Sequence, residues 1–170
     1  MASGKSSVTR RLHAATNRPV ISLDQQIAET AGVSVTRIFA EQGEAAFRKM
    51  ETEALTNLDP DRPLAIDTGG GIVQTPAAVQ LLRSRGVVIW LDAPWEALRA
   101  RLKDSNRATR PLIDRLGWAG LEELFRSRRR LYAAAADFRL RSDQDNVDEI
   151  AHRAMLRSLQ WERRREEERR

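Results

Sequence analysis

Apolar residues along this chain follow two rhythms, and the alternation between them predicts the fold. Short apolar runs at Val20-Ile21, Leu64-Ala65-Ile66 and Val87-Val88-Ile89-Trp90-Leu91 read as strands, with a last short one at Phe138-Arg139-Leu140. Between them the spacing becomes helical. Val8, Leu12 and Ala15 mark one face of a first helix. A second starts at Leu23-Asp24 and ends at Gly32, and Ser34 caps a short third through Ile38 and Phe39. Glu44 to Leu58 reads as a long amphipathic helix with Phe47, Met50, Ala54 and Leu58 inward and Arg48 beside that face. Pro76 opens the next helix at its first position and Gly86 stops it. Asp92-Ala93-Pro94 turns into a helix with Leu98 and Leu102 inward. Helical patterns return over Leu116 to Ala136 and again from Val147 onward.

Strands alternating with helices predict an α/β fold: three layers, α/β/α, with a central parallel sheet covered on both faces. Ligands of such sheets gather at the carboxyl ends of the strands. The 170 residues suit a single domain, 1-170. Lys103 to Asp114 is polar and basic, and about 103-116 reads as a lid. About 153-170 reads as a basic helical tail, solvated and laced with i,i+4 charge pairs.

Composition narrows the function. There is no cysteine, which excludes disulfides and thiolate metal ligands and suits a reducing cytoplasm. No apolar run is long enough to span a bilayer and the opening residues lack an apolar signal-type core, so no membrane partner is expected. The net charge of +5 would suit nucleic acid or small anions, but aromatics make up only 5% and do not interleave with the basic residues. A small anion is the expected partner, nucleic acid is not, and a monomer is expected.

Candidate chemistry begins at Ser3-Gly4-Lys5-Ser6-Ser7, which matches the second half of a phosphate-binding loop, G-x-x-x-x-G-K-S/T. Gly4 lets the backbone wrap a phosphate, Lys5 brings charge to the β- and γ-phosphates, and the Ser6 hydroxyl suits Mg²⁺. Ser7 follows where a helix N-terminus favours an anion. Taken alone, the string equally opens an ordinary helix. Likewise, Gly69-Gly70-Gly71 at a strand end permits close backbone approach to a ligand or makes a flexible loop. Asp24 is a base or a helix-start residue, and Arg48 an anion ligand or the partner of Glu44 or Glu51.

The set in its order resembles the shikimate kinase family, small P-loop kinases of the nucleoside-monophosphate-kinase type. The strings are Ser3-Gly4-Lys5-Ser6, Leu23-Asp24-x-x-Ile27, Ile38-Phe39-Ala40-Glu41-x-Gly43-Glu44-x-x-Phe47-Arg48, Thr68-Gly69-Gly70-Gly71, Arg110-Pro111-Leu112 and Arg128-x-x-Leu131-Tyr132. The resemblance implies a P-loop kinase fold and ATP-dependent phosphorylation of the 3-hydroxyl of shikimate, in aromatic amino-acid biosynthesis. It implies that Lys5 and Ser6 hold ATP phosphates and Mg²⁺, that Asp24 binds the shikimate hydroxyls and acts as base, and that Arg48 and Arg128 grip its carboxylate. Gly69, Gly70 and Gly71 would border the ring, Arg110 would reach the ATP phosphates, Arg101 would stack on adenine, and Glu51 would orient Arg48.

The chain departs from the family's pattern in four places. The first glycine of the phosphate loop and the strand before it would precede Met1, so the chain is expected to be truncated and its first, central strand missing. Ser22 stands where the family has an acid near Mg²⁺, and Asp67, ending the run Leu64-Ala65-Ile66, is expected to replace that charge. The lid is lengthened by Lys103 to Thr109. The loop Gln144-Asp145-Asn146-Val147 lacks the family's Arg and Pro. The alternative readings are a non-catalytic ligand-sensing domain of a transcriptional regulator and a related small-molecule kinase such as a gluconate kinase.

Overall fold

The computed structural model describes residues 2–60, 62–104 and 111–168. Helix α1 (Lys5–Thr16) leads through Arg18-Pro19 into strand β1 (Val20–Ser22). Three helices follow: α2 (Leu23–Ala31), α3 (Val35–Glu41) and α4 (Gly43–Thr56). Strand β2 (Ala65–Asp67) ends in the glycine loop, and a single 3₁₀ turn, Ile72–Gln74, leads to α5 (Pro76–Arg85). Strand β3 (Ile89–Asp92), helix α6 (Trp95–Asp104), helix α7 (Pro111–Ala135), broken by a kink at Gly117 with φ of 64°, strand β4 (Phe138–Arg141) and helix α8 (Val147–Glu168) complete the order.

The strands pair in parallel, as their helical connections require. β1 lies on β2 with Ser22 opposite Asp67, and β3 lies on β4 with Asp92 opposite Arg141. Among the described residues no strand joins the two pairs. A cleft of about 120 Å³ is bordered by Thr68, Gly69 and Gly70 after β2, by the whole of β3, and by Ser3 and Lys5. It opens where the β2 strand ends, and of the candidate residues Ser3, Lys5, Gly69 and Gly70 line it.

Local signals account for the element ends. Ser22 accepts the Gln25 N–H at 3.5 Å and caps α2, and Ser34 caps α3 through Arg37 at 3.3 Å. Asn146 and Glu149 exchange side-chain–backbone hydrogen bonds of 2.9 and 3.0 Å, a reciprocal cap on α8. Gly32, with φ of 67°, closes α2 in the left-handed region.

Burial divides into three apolar clusters. Leu23, Ile27, Ile38, Phe47, Leu55, Ile72 and Ala78 tie α2 to α5 around the 3₁₀ turn. Val8, Leu140, Ile150, Ala151 and Ala154 tie α1 to β4 and α8. Trp95, Leu102 and Leu121 tie α6 to α7. On α4 the inward face differs from expectation: Phe47, Glu51 and Leu55 are buried, while Met50, Ala54 and Leu58 pack at the margin.

Lys103 and Asp104 close α6, and Leu112 and Ile113 pack on the α6–α7 cluster, so both ends of the expected lid belong to helices. Residues 105–110 lie outside the described residues. The basic tail continues α8 and is held: Arg18 donates to both Glu162 oxygens at 2.7 and 3.1 Å, and Arg165 donates to the Ser84 carbonyl at 2.6 Å. Among the described residues no helix is long and apolar enough to cross a membrane.

Candidate active site

The phosphate end is built on the start of α1. Gly4 sits at φ 89°, and the Ser7 and Val8 N–H groups return to its carbonyl at 3.1 and 3.0 Å. That left-handed residue turns the chain so that Ser3 and Lys5 face the cleft beside Gly69 and Gly70. The Ser6 hydroxyl donates to Asp67 Oδ2 at 2.5 Å. Asp67 ends β2 opposite Ser22, so the carboxylate missing from β1 is present one strand over. A hydroxyl and a carboxylate oxygen are the hard donors that Mg²⁺ accepts, so the residues present fit that ion. Arg101 donates to the Ala2 carbonyl at 3.2 Å and to the carbonyl of Ser142, tying the segment before α1 to the end of β4.

The centre is acidic. Asp24, in the first turn of α2, lies against the glycine loop: a Cβ on Gly69 would stand 2.8 Å from its Oδ1 and 3.3 Å from Glu51 Oε1. Only a residue without a side chain fits there. Burial holds the Asp24 carboxyl above the usual carboxylate range, Lys5 and Arg48 oppose that shift, and Asp67 adds to it. Glu51 is fully buried and is also raised, first by burial and further by the Asp24 charge, against the pull of Arg48. Asp24 Oδ1, Glu51 Oε1, Arg48 Nε and Arg128 Nε are buried without hydrogen-bond partners among the described residues. Desolvated groups of this kind are rare in folded proteins, and their convergence here marks a ligand site.

The cationic end rests on the same loop. Arg48 donates from Nη1 to Glu51 Oε2 at 2.6 Å and from Nη2 to Glu44 Oε1 at 2.8 Å. Its guanidinium stacks within 5.5 Å of the Phe47 ring, and a Cβ on Gly71 would overlap Nη2 at 2.0 Å. Arg128 reaches across from α7 to Gln74 Oε1 at 2.5 Å. One turn further along α7, the Tyr132 hydroxyl donates to the Gly70 carbonyl at 2.6 Å. Helix α7 therefore holds the glycine loop at Gly70 and the 3₁₀ turn that follows it at Gln74.

Lys5, Gly69 and Gly70 line the cleft, Asp24 and Arg48 lie against Gly69 and Gly71 of the same loop, Ser6 joins Asp67, and Arg128 reaches the 3₁₀ turn that follows the loop. Arg110 lies outside the described residues. Sequence reasoning missed the latch made by Tyr132, although the string Arg128-x-x-Leu131-Tyr132 contains it. It also missed the partner of Arg129. Arg129 donates to the buried Asp92 at 3.2 Å, alongside Arg139 at 2.8 Å, and both guanidiniums stack on Trp90.

A parallel α/β frame, a Gly-Lys-Ser helix start and paired arginines over a glycine loop define a phosphate-handling enzyme of the P-loop kinase class. A family model described as Shikimate kinase matches residues 1–158. The shikimate kinase of Aquifex aeolicus is 37% identical over 135 residues, covering 79% of each chain. That of Synechococcus sp. (strain JA-3-3Ab) is 41% identical over 136 residues, covering 79% of this chain and 71% of its own. Among solved structures, a shikimate kinase from Acinetobacter baumannii in complex with shikimate superposes with a TM-score of 0.83 at 28% identity, covering 94% of this chain and 89% of that one. This chain belongs to the shikimate kinase family.

Proposed function

We propose that this chain is a shikimate kinase, a single-domain, monomeric, cytoplasmic enzyme that transfers the γ-phosphate of ATP to the 3-hydroxyl of shikimate. The observation that carries this reading is the meeting of Lys5, Asp24 and Arg48 on one glycine loop, with unpartnered polar atoms turned to the same place. Arg48 and Arg128 grip the shikimate carboxylate, for which guanidinium forks are suited. Backbone at Gly69 to Gly71 borders the ring. Asp24 accepts a hydrogen bond from the reacting hydroxyl and takes its proton; its raised carboxyl range makes it a better base near neutral pH. Lys5 neutralises charge on the transferred phosphoryl group. Ser6 and Asp67 would hold Mg²⁺, which would supply positive charge against the nucleotide phosphates. From the family resemblance, Arg110 supplies further charge to the phosphates and Arg101 lies on the adenine side.

Shikimate-dependent ADP release, with gluconate as control acceptor, tests the activity. Arg48→Lys, which keeps a charge beside Glu51 but loses the fork, is expected to raise the KM for shikimate about 100-fold, equivalent to two tenfold steps of roughly 1.4 kcal/mol. The KM for ATP is expected to stay within a few-fold; an equal rise in both would refute the carboxylate grip. Asp67→Asn is expected to weaken Mg²⁺ binding in calorimetric titration of the ATP complex. Unchanged Mg²⁺ affinity would remove Asp67 from the metal site.

A further inference from the structure

The two carboxylates bound to Arg48 are not equivalent. Glu51 is fully buried and holds Nη1 from behind. Glu44 leaves about half of its side chain in solvent and holds Nη2, while Arg48 itself is 15% exposed. Nη2 is also the nitrogen nearest the glycine loop, overlapping the place of a Gly71 Cβ. A carboxylate resting on that loop and gripped by Arg48 would therefore reach for the nitrogen that Glu44 occupies. Arg128 stands nearby with its Nη2 on the neutral amide of Gln74. The hydrogen bond from Arg48, helped by the charges of Arg48, Arg128 and Arg115, holds the Glu44 carboxyl below its usual range, against the effect of burial.

We infer that Glu44 is an internal stand-in for the substrate's carboxylate: it occupies the outer nitrogen of Arg48 in the empty enzyme and is displaced when an acid binds. This rests on the carboxylate-grip reading above. Tethered one helical turn away, Glu44 competes at an effective concentration that a free carboxylate must exceed. Two carboxylates share Arg48 in the free enzyme, and every acid pays the same penalty, because only the fraction of enzyme with Glu44 displaced can bind. A small acid with no other contacts falls below useful affinity. A ring acid whose hydroxyls also reach Asp24 retains enough.

The test is direct calorimetric binding, without nucleotide, of shikimate and of cyclohexanecarboxylate, a ring acid without hydroxyls. Glu44→Gln and Glu44→Ala are compared with the parent enzyme. Both variants are expected to lower both dissociation constants by a common factor, about two- to five-fold for a half-exposed pair. The affinity for the ATP analogue should not move. A role for Glu44 in merely steadying Arg48 would raise the constants instead. A rise, no change, or a shift for one acid only would overturn the inference. Arg48→Lys serves as the separating control: if it binds shikimate as well as the parent, the carboxylate grip fails, whatever Glu44 does.

Discussion

The most exposed point of the design is a carboxyl that would be more stable without its charge. Asp24 is raised chiefly by burial, so the folded state favours its protonated form. Its contribution to stability is complete below the unfolded carboxylate range and is lost as pH rises through the higher folded value. Asp24→Asn is thus expected to raise the melting temperature at pH 7 to 8 by a few degrees while abolishing most activity. The advantage should shrink as pH falls through the carboxylate range and vanish below about 3, where the parent carboxyl is largely neutral in both states. A variant that melts lower at pH 7.5 would contradict the burial argument. Glu51 gives the opposite lesson. Arg48→Ala strands a fully buried carboxylate, and breaking such a pair costs about 3–5 kcal/mol. Chemical denaturation should therefore show Glu51 and Arg48 strongly coupled in a double-mutant cycle. Asp24 and Arg48 were legible from their local strings. The complete burial of Glu51 was not, because a charged residue on an apolar face is read as an edge position until its partner is placed.

At the scale of elements, α7 sets the glycine loop. Tyr132 and Arg128 lie one turn apart and reach Gly70 and Gln74. Tyr132→Phe removes one hydrogen bond while keeping the ring, a loss of about 1 kcal/mol in stability. If the loop then drifts, the KM for shikimate should rise several-fold with the KM for ATP unchanged; unaltered shikimate kinetics would show that the loop holds its place without the latch. Helix starts, glycine stops and all four strands could be read from the chain because capping and apolar runs are local signals. The pairing of the strands into two separate couples could not be read. Neither could the contacts Ser6–Asp67 and Arg129–Asp92, which join residues 61 and 37 positions apart. Periodicity carries no information at that range. The expectation that Asp67 replaces the family's acid at Ser22 came from the resemblance, and the strand register sets the two residues opposite each other.

For the whole molecule, the three apolar clusters share no residues, and the cleft that the strand pairs border is walled mainly by apolar side chains, with Ser3, Lys5 and Asp92 among the polar ones. Shikimate should first protect the body formed by α2 to α5, because Asp24, Arg48 and the glycine loop belong to it. Amide exchange measured with shikimate alone is expected to slow there and little in α8. Equal slowing across both regions would mean that the bodies already move as one. Division of the apolar interior has a thermal counterpart. The empty chain should melt over a broad span, with a van't Hoff enthalpy below the calorimetric one, since each body can loosen on its own. Saturation with both substrates bridges the bodies through shared ligand contacts. The two enthalpies should then converge into a single sharp endotherm.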